Sequence, residues 1–317
     1  MLRYTLKRIE GALLVVLAVS LITFFVLTLI PGNAAMLRLG TDATAEQLAE
    51  LERSMGLDKP WYIQYLSWMG GLFRLDFGTS SLYGQSVLTL IAQRMPVTLS
   101  LAVLSMSMSL VVSILLGTLS AVYKDSPLDM LCRTLMQAGT ALPGFWIGII
   151  FIIYLALRTG FFPVSGFTPV SEGFGNYLRS IFLPSLALAI GEIGPLLRSV
   201  RTSMLQALKQ DYIDMGKAQG LPARTIYLRY ALRGALAAPL NVAGMQFAKL
   251  LGGTTVIESV FSLPGLGRLI LVAVEQRDIA LLQGCVMYVS IVVVAISLGV
   301  DMLTAWLNPQ VRVDTQS

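Results

Sequence analysis

Histidine is absent from this 317-residue chain, and cysteine occurs only at Cys132 and Cys285. Without imidazole there is no His-based acid/base catalysis, no Ser-His-Asp triad and no imidazole metal site. Two cysteines this far apart in sequence form neither a disulfide framework nor a thiolate metal cluster. The phosphate loop G-x-x-x-x-G-K-[ST] is also missing. Gly216-Lys217 is the only Gly-Lys pair and lacks the upstream glycine, so the chain does not bind ATP by that route. Charge is scarce: 13% of residues, against about 25% in soluble domains. No catalytic constellation emerges.

What remains is apolar. Hydrophobic residues make up 55% of the chain and the mean hydropathy is +0.73. These values predict an all-α integral membrane protein, because a span needs roughly 20 apolar residues whose backbone groups are satisfied internally. Six stretches fit, at about 9–30, 98–122, 135–157, 181–197, 235–257 and 281–306. The fourth is the shortest and holds Pro184, Gly191, Gly194 and Pro195, which predicts a helix that is kinked or packed inside the bundle. The first could be a secretory signal, but its run from Gly11 to Ile30 exceeds the 7–15 residues usual for a signal core and favours a retained anchor.

Lys and Arg in short loops set orientation. Arg3, Lys7 and Arg8 precede the first span, Lys124 and Arg133 follow the second, and seven basic residues from Arg198 to Arg233 lie between the fourth and fifth. Both termini and these segments are therefore expected in the cytoplasm, with 31–95 on the opposite face. This topology accounts for the net charge of +5 without any nucleic-acid partner. The expected organisation is a tail and first span at 1–30, an extracytoplasmic segment at 31–95, a five-helix core at 96–306 with a cytoplasmic loop at about 198–234, and a tail at 307–317.

Within 31–95, Thr44-x-x-Gln47 fits a capping box, Leu48, Leu51 and Met55 share a helical stripe, and Gly56 is placed as a C-cap. After Asp58-Lys59-Pro60, Trp61, Tyr65 and Trp68 recur at helical spacing until Gly70-Gly71 stops the run. These aromatics suit a helix at the bilayer surface or one packed on the spans.

Residues 211–230, DYIDMGKAQGLPARTIYLRY, interrupt the apolar pattern. Asp211 to Gln219 are helix-compatible, Gly220 can adopt the positive φ that ends a helix, and Pro222 suits the first turn of the next. Ile226, Tyr230 and Arg233 are expected on one face, and Gly216 and Ala218 would let a neighbouring surface approach closely. From these residues alone the segment is either a docking element or an ordinary basic loop.

The segment is similar to the loop of the inner-membrane permeases of binding-protein-dependent ABC importers, in the dipeptide, oligopeptide and nickel group. Asp214-Met215-Gly216 with Gly220 stands at that family's Glu-Ala-Ala loop, flanked by matching Asp211-Tyr212-Ile213 and Gly220-Leu221. The likeness spans nearly the whole chain, in ordered blocks. These include Met55 to Pro60, Asp76 to Ser80, Leu142 to Trp146, Arg198 to Leu221, Gly252-Gly253, Glu258 to Phe261, Leu263 to Arg268 and Asn308-Pro309. Departures occur at Asn33, Lys217-Ala218-Gln219, Ile279-Ala280 and Asn308-Pro309-Gln310, where the family usually has Asp, Arg-Ala-Lys, an aromatic with Pro, and Asp-Pro-Arg.

The resemblance implies a six-helix type I importer permease in a bacterial inner membrane, working by alternating access. Asp211, Tyr212, Asp214, Gly216, Lys217, Ala218, Gly220 and Leu221 would form the coupling loop to an ATPase. It further implies a homologous second permease, one or two cytoplasmic ATPases carrying ATP and Mg, an extracytoplasmic solute-binding protein, and no cofactor or metal on this chain. The solute could be a dipeptide, an oligopeptide, nickel or its chelates, glutathione or an opine. Glu258, Pro264, Gly265, Gly267 and Arg268 would belong to a region closing the outer end.

Charges inside spans are costly and tend to be paired or functional. Glu192, Lys249 and Asp301 are the candidates, with a Glu192–Lys249 pair expected from their opposite signs in neighbouring spans. Gly144-x-x-x-Gly148 fits a helix-contact motif. A secondary, ion-coupled transporter is the alternative, although no internal repeat of the usual kind is visible.

Overall fold

The computed structural model describes residues 2–29, 44, 46–47, 50, 53 and 58–307. Among them there is no strand beyond an isolated antiparallel bridge between Thr79 and Ser86. Asn33, Leu48, Leu51, Met55, Gly56 and residues 308–317 lie outside the described residues. Thr44 and Gln47 are described and reciprocate as a capping box: the Thr44 amide donates to Gln47 Oε1 at 3.1 Å, and the Gln47 amide to Thr44 Oγ1 at 3.3 Å.

The first span is α1, Leu2–Leu29. Next comes α2, Trp61–Phe73, which starts directly after Pro60 as expected but runs through Gly70-Gly71 instead of ending there. It packs on α1. Tyr65 is buried with its hydroxyl 2.8 Å from Ser20 Oγ, and Phe24 meets the rings of Tyr65 and Trp68. Of the two readings of these aromatics, packing against a span is the one observed.

The second span, α3, is a 36-residue helix, Val87–Val122. The third expected span is not one rod. It is split into α4, Pro127–Ala141, and α5, Gly144–Phe151 with a π-helical continuation Ile152–Leu157, and the two halves are bent by 97°. Pro143 is the cause: it disfavours helical backbone at the preceding residue, and Leu142 adopts ψ 126°. The fourth span, α6, runs from Phe174 to Ala207, twice the length expected from hydropathy and uninterrupted by Pro184 or Pro195. Its most apolar window is 61% buried, against at most 33% for the comparable windows of α1, α3 and the last span. Packing inside the bundle, one of the two expectations for this span, is observed.

A short helix α7, Asp211–Ala218, leads through a turn to a π-helical segment, Thr225–Ala231, and α8, Leu232–Ala235. Then follow α9, Ala237–Gly253, α10, Thr255–Val260, α11, Leu266–Glu275, and α12, Ile279–Leu307. Four helices, α1, α3, α6 and α12, are each long and apolar enough to cross a bilayer, and the bent α4–α5 pair would make a fifth. The fifth expected span, 235–257, falls on α9, whose 17 residues end at Gly253, just short of the roughly 20 required.

The α3–α6 contact organises the bundle through small residues at four-residue spacing. Ser109 Oγ donates to the Ala189 carbonyl at 3.0 Å and Ser113 Oγ to the Ile193 carbonyl at 3.3 Å. One turn on, a Cβ at Gly117 would lie 2.8 Å from the Val200 side chain. The close approach of these helices is therefore a small-x-x-x-small seam. Gly194 brings α6 equally close to α4, since a Cβ there would stand 2.6 Å from the Met136 carbonyl. The motif singled out in sequence, Gly144-x-x-x-Gly148, serves α10 and α6: Gly148 lies under the Phe261 ring and Gly144 faces the Ala187 carbonyl.

Candidate functional site

Two buried carboxylates are held at separate points along α3, near Thr98 and near Ser120. Near Thr98, the Glu258 carboxylate is fully buried and holds three elements together. Its Oε1 accepts from Thr98 Oγ1 on α3 and from Thr254 Oγ1, each at 2.7 Å, and its Oε2 accepts from the Arg268 amide in the first turn of α11 at 2.8 Å. Thr98 Oγ1 in turn accepts from the Leu266 amide at 2.8 Å. The free amides of α11 are thereby satisfied by a carboxylate and a hydroxyl, the favoured chemistry at a helix N-terminus.

The Leu263–Arg268 block is built around that carboxylate. A Cβ at Gly265 would sit 2.2 Å from Glu258 Cδ, and one at Gly267 would sit 2.5 Å from Thr255 Oγ1. These two glycines are required by contact. Beside Pro264 and Gly265 lies a cavity of about 270 Å³ also lined by Tyr83, Arg94 and Arg268. The neighbouring loop is tied in by Asp278, whose carboxylate accepts from Ser80 Oγ at 2.5 Å, the Leu82 amide at 3.0 Å and the Leu281 amide at 3.1 Å.

Near Ser120 lies the second buried acid, which sequence reasoning missed. Asp129, fully buried at the start of α4, receives a bidentate pair from Arg201 on α6: Nε to Oδ1 at 2.8 Å and Nη2 to Oδ2 at 2.9 Å. Ser120 Oγ donates to Oδ1 at 2.5 Å, and the Asp125 amide to Oδ2 at 3.1 Å. Planar two-point pairing of this kind is the strong form of ion pair. It clamps α3, α4 and α6 together. No local signal announces it, because the partners lie 72 residues apart.

Just beyond the end of α6 comes the 211–221 segment. Its turn is a complete Schellman motif: the Leu221 amide donates to the Gly216 carbonyl at 3.1 Å and the Gly220 amide to the Lys217 carbonyl at 3.0 Å, with Gly220 at φ +73°. Pro222 then accepts from the Thr225 and Ile226 amides. Ile213 and Ile226 are buried in one cluster with Val200, Met204 and Ala231, which roots the segment in the bundle. Gly216 faces that interior, against Leu221 and Ile226, so it is not available to a neighbouring surface; Ala218 is exposed. The expected common face of Ile226, Tyr230 and Arg233 is not observed. Ile226 is buried and the other two are exposed, because the π-helical turn replaces i→i+4 by i→i+5 bonding and shifts the register.

The outward face of α7 carries Asp211, Tyr212, Asp214, Met215 and Lys217, all exposed, Met215 at 63%. Lys217 and Asp214 form an exposed pair at 2.8 Å, an arrangement worth little to stability. Tyr212 and Met215 are thus presented to solvent on a firmly rooted helix.

Glu192 and Lys249 form no ion pair within 4 Å among the described residues, yet Lys249 is near enough to act on the Glu192 carboxylate through space. Glu192 is buried on α6 and meets α9 through Gln246, whose Nε2 donates to the Glu192 main-chain carbonyl at 3.4 Å. Lys249 lies on the exposed side of α9, where its long stem can reach toward water. Asp301 is instead paired with Arg8 at 3.0 Å, which joins α12 to α1.

Comparison with known proteins agrees with this architecture. The family described as "Binding-protein-dependent transport system inner membrane component" matches residues 113–313, and its N-terminal companion matches residues 1–102. A putative peptide transport system permease protein of Brucella suis biovar 1 (strain 1330) is 38% identical over 98% of both chains. The dipeptide transport system permease protein of Lactococcus lactis subsp. cremoris (strain MG1363) is 33% identical over 98% of this chain and all of that one. In fold, the chain resembles the inward-facing MetNI methionine ABC transporter, with a TM-score of 0.56, 16% identity, and coverage of 69% of this chain and 96% of that one. The secondary-transporter alternative is set aside by these matches. The chain belongs to the inner-membrane components of binding-protein-dependent transport systems and is a multi-pass permease of the ABC importer class.

Proposed function

We propose that this chain forms half of the translocation path of an importer for peptide-like solutes and takes its drive from a cytoplasmic ATPase through α7 and the Gly220 turn. The observation that carries the coupling role is the pairing of an exposed Tyr212–Met215 face with a buried Ile213–Ile226 root. A force applied to that face reaches α6 through packed side chains. A homologous permease completes the path, one or two ATPases bind ATP and Mg, and a solute-binding protein delivers cargo outside. Both termini and the 211–221 segment lie in the cytoplasm. The peptide-like solute is supported by the names of the relatives; nickel has no such support.

The coupling role is tested by Met215→Glu, which alters an exposed side chain and leaves the buried root intact. Affinity purification of the wild-type chain from its native membrane should bring down an ATPase and a second permease. The variant should retain the permease and lose the ATPase. Retention of the ATPase at wild-type yield would place the docking surface elsewhere.

A further inference from the structure

Between α1 and α12 runs a groove of about 480 Å³ that none of the transport machinery described above uses. Its walls are apolar, with Gly11, Ala12 and Val15 on α1 facing Val294 and Leu298 on α12. Gly11 holds it open, since nothing lies within 4 Å of where its Cβ would stand. One end is charged. There Arg8 and Asp301 pair at 3.0 Å and cancel, while Lys7 lines the same groove, exposed and without an ion pair among the described residues. Glu10, the only acid of α1, is not among the lining residues.

A net cation above an apolar slot matches the two ends of one class of molecule. From Lys7 to Val15 the helix rises about 12 Å, close to the roughly 15 Å of hydrocarbon in one leaflet. We propose that this groove is a binding site for an anionic phospholipid, with its phosphodiester on Lys7 and one acyl chain along the Gly11 face. Basic pockets between spans are suited to acidic head groups. A soluble anion would gain nothing from the apolar walls, and a zwitterionic lipid would bring its own cation toward Lys7. The Arg8–Asp301 pair fixes the two helices at the charged end and leaves Lys7 as the uncompensated charge. This site is independent of the solute and of the ATPase.

The test uses the permease purified with its partners and placed in nanodiscs of phosphatidylglycerol and phosphatidylethanolamine in equal parts with identical chains, then released for native mass spectrometry. The wild-type chain should retain phosphatidylglycerol in preference to phosphatidylethanolamine. Lys7→Gln should reduce that preference about fivefold, equivalent to about 1 kcal/mol for one basic residue near an anionic surface. Gly11→Leu, which fills the open slot, should lower retention of both lipids. Equal retention of the two lipids by the wild type, or an unchanged preference in Lys7→Gln, would overturn the proposal. So would efficient cross-linking of Ala12→Cys to another protein in native membranes, since a protein would then cover the groove.

Discussion

Glu258 and Asp129 are the two residues on which the bundle's polar anchoring turns. Each is a fully buried carboxylate that joins local partners to distant ones, Thr254 with Thr98 and Arg268 for Glu258, and Asp125 with Ser120 and Arg201 for Asp129. Removing an acceptor from such a site leaves buried donors unsatisfied, at about 1.5–3 kcal/mol for bonds to a charged group. Glu258→Gln keeps the shape and one acceptor oxygen but replaces the other with an NH2 donor, so either the Arg268 amide or the Thr98 and Thr254 hydroxyls lose their acceptor. It should lower the thermal midpoint of the purified complex, and a wild-type midpoint would show that the Leu263–Arg268 block is held some other way. For Asp129 and Arg201 a double-mutant cycle is the sharper measurement. Asp129→Asn and Arg201→Gln should each destabilise, and the double variant by clearly less than their sum, because either change alone breaks the same two-point pair; Arg133, half exposed and 3.5 Å from Oδ2, also pairs with Asp129. The resemblance groups Glu258 with Gly265 and Arg268, which the fold brings into contact, but the Asp129 network was not legible in the sequence. Asp129 reads as an ordinary N-terminal acid of a helix and Arg201 as one more basic residue of a cytoplasmic loop, and only the fold brings them together. Gly220 was legible because its cause is local, a helix end that needs positive φ within a few residues.

At the scale of the element, hydropathy recovered the existence of the spans better than their shape. A window average does not register a backbone break, so the stretch at 135–157 reads as one helix although Pro143 turns it through 97°. The same averaging shortened α6, whose polar ends are helical because they pack against neighbours, not because they are apolar. The small-residue seam makes a discriminating prediction. Gly194→Leu puts a side chain where the Met136 carbonyl already stands, whereas Gly191 has nothing within 4 Å of its Cβ position on the same helix. Gly194→Leu should abolish accumulation of folded chain, with a cost in the range of overpacked cores, about 1–3 kcal/mol or more, while Gly191→Ala should accumulate normally. Equal accumulation of both, by fluorescence size exclusion, would mean that α4 and α6 do not cross at Gly194.

For the whole molecule, the two polar anchors sit on one helix at a telling separation. From Thr98 to Ser120 is 22 residues of α3, about 33 Å at 1.5 Å per residue, close to the roughly 30 Å thickness of bilayer hydrocarbon. The Glu258 and Asp129 networks thus lie about one hydrocarbon thickness apart along α3, with the 211–221 segment beyond the second. Under the proposed coupling, motion at α7 would reach α6 and, through the Arg201–Asp129 clamp, α3 and α4 together. The basic loops predict which side is which. A cysteine replacing Lys217 should react with a membrane-impermeant maleimide only in inside-out vesicles, and one replacing Thr159 only in right-side-out vesicles; the reverse pattern would invert the topology.

The most direct measurement of the central claim is ATP hydrolysis in liposomes holding the permease pair with purified ATPase added in excess, with and without the solute-loaded binding protein, for the wild-type chain and for Met215→Glu. The account predicts that the loaded binding protein stimulates hydrolysis when the wild-type chain is present and that the variant loses the stimulation. Equal stimulation with both chains would contradict it, because the signal from outside would then reach the ATPase without passing through α7.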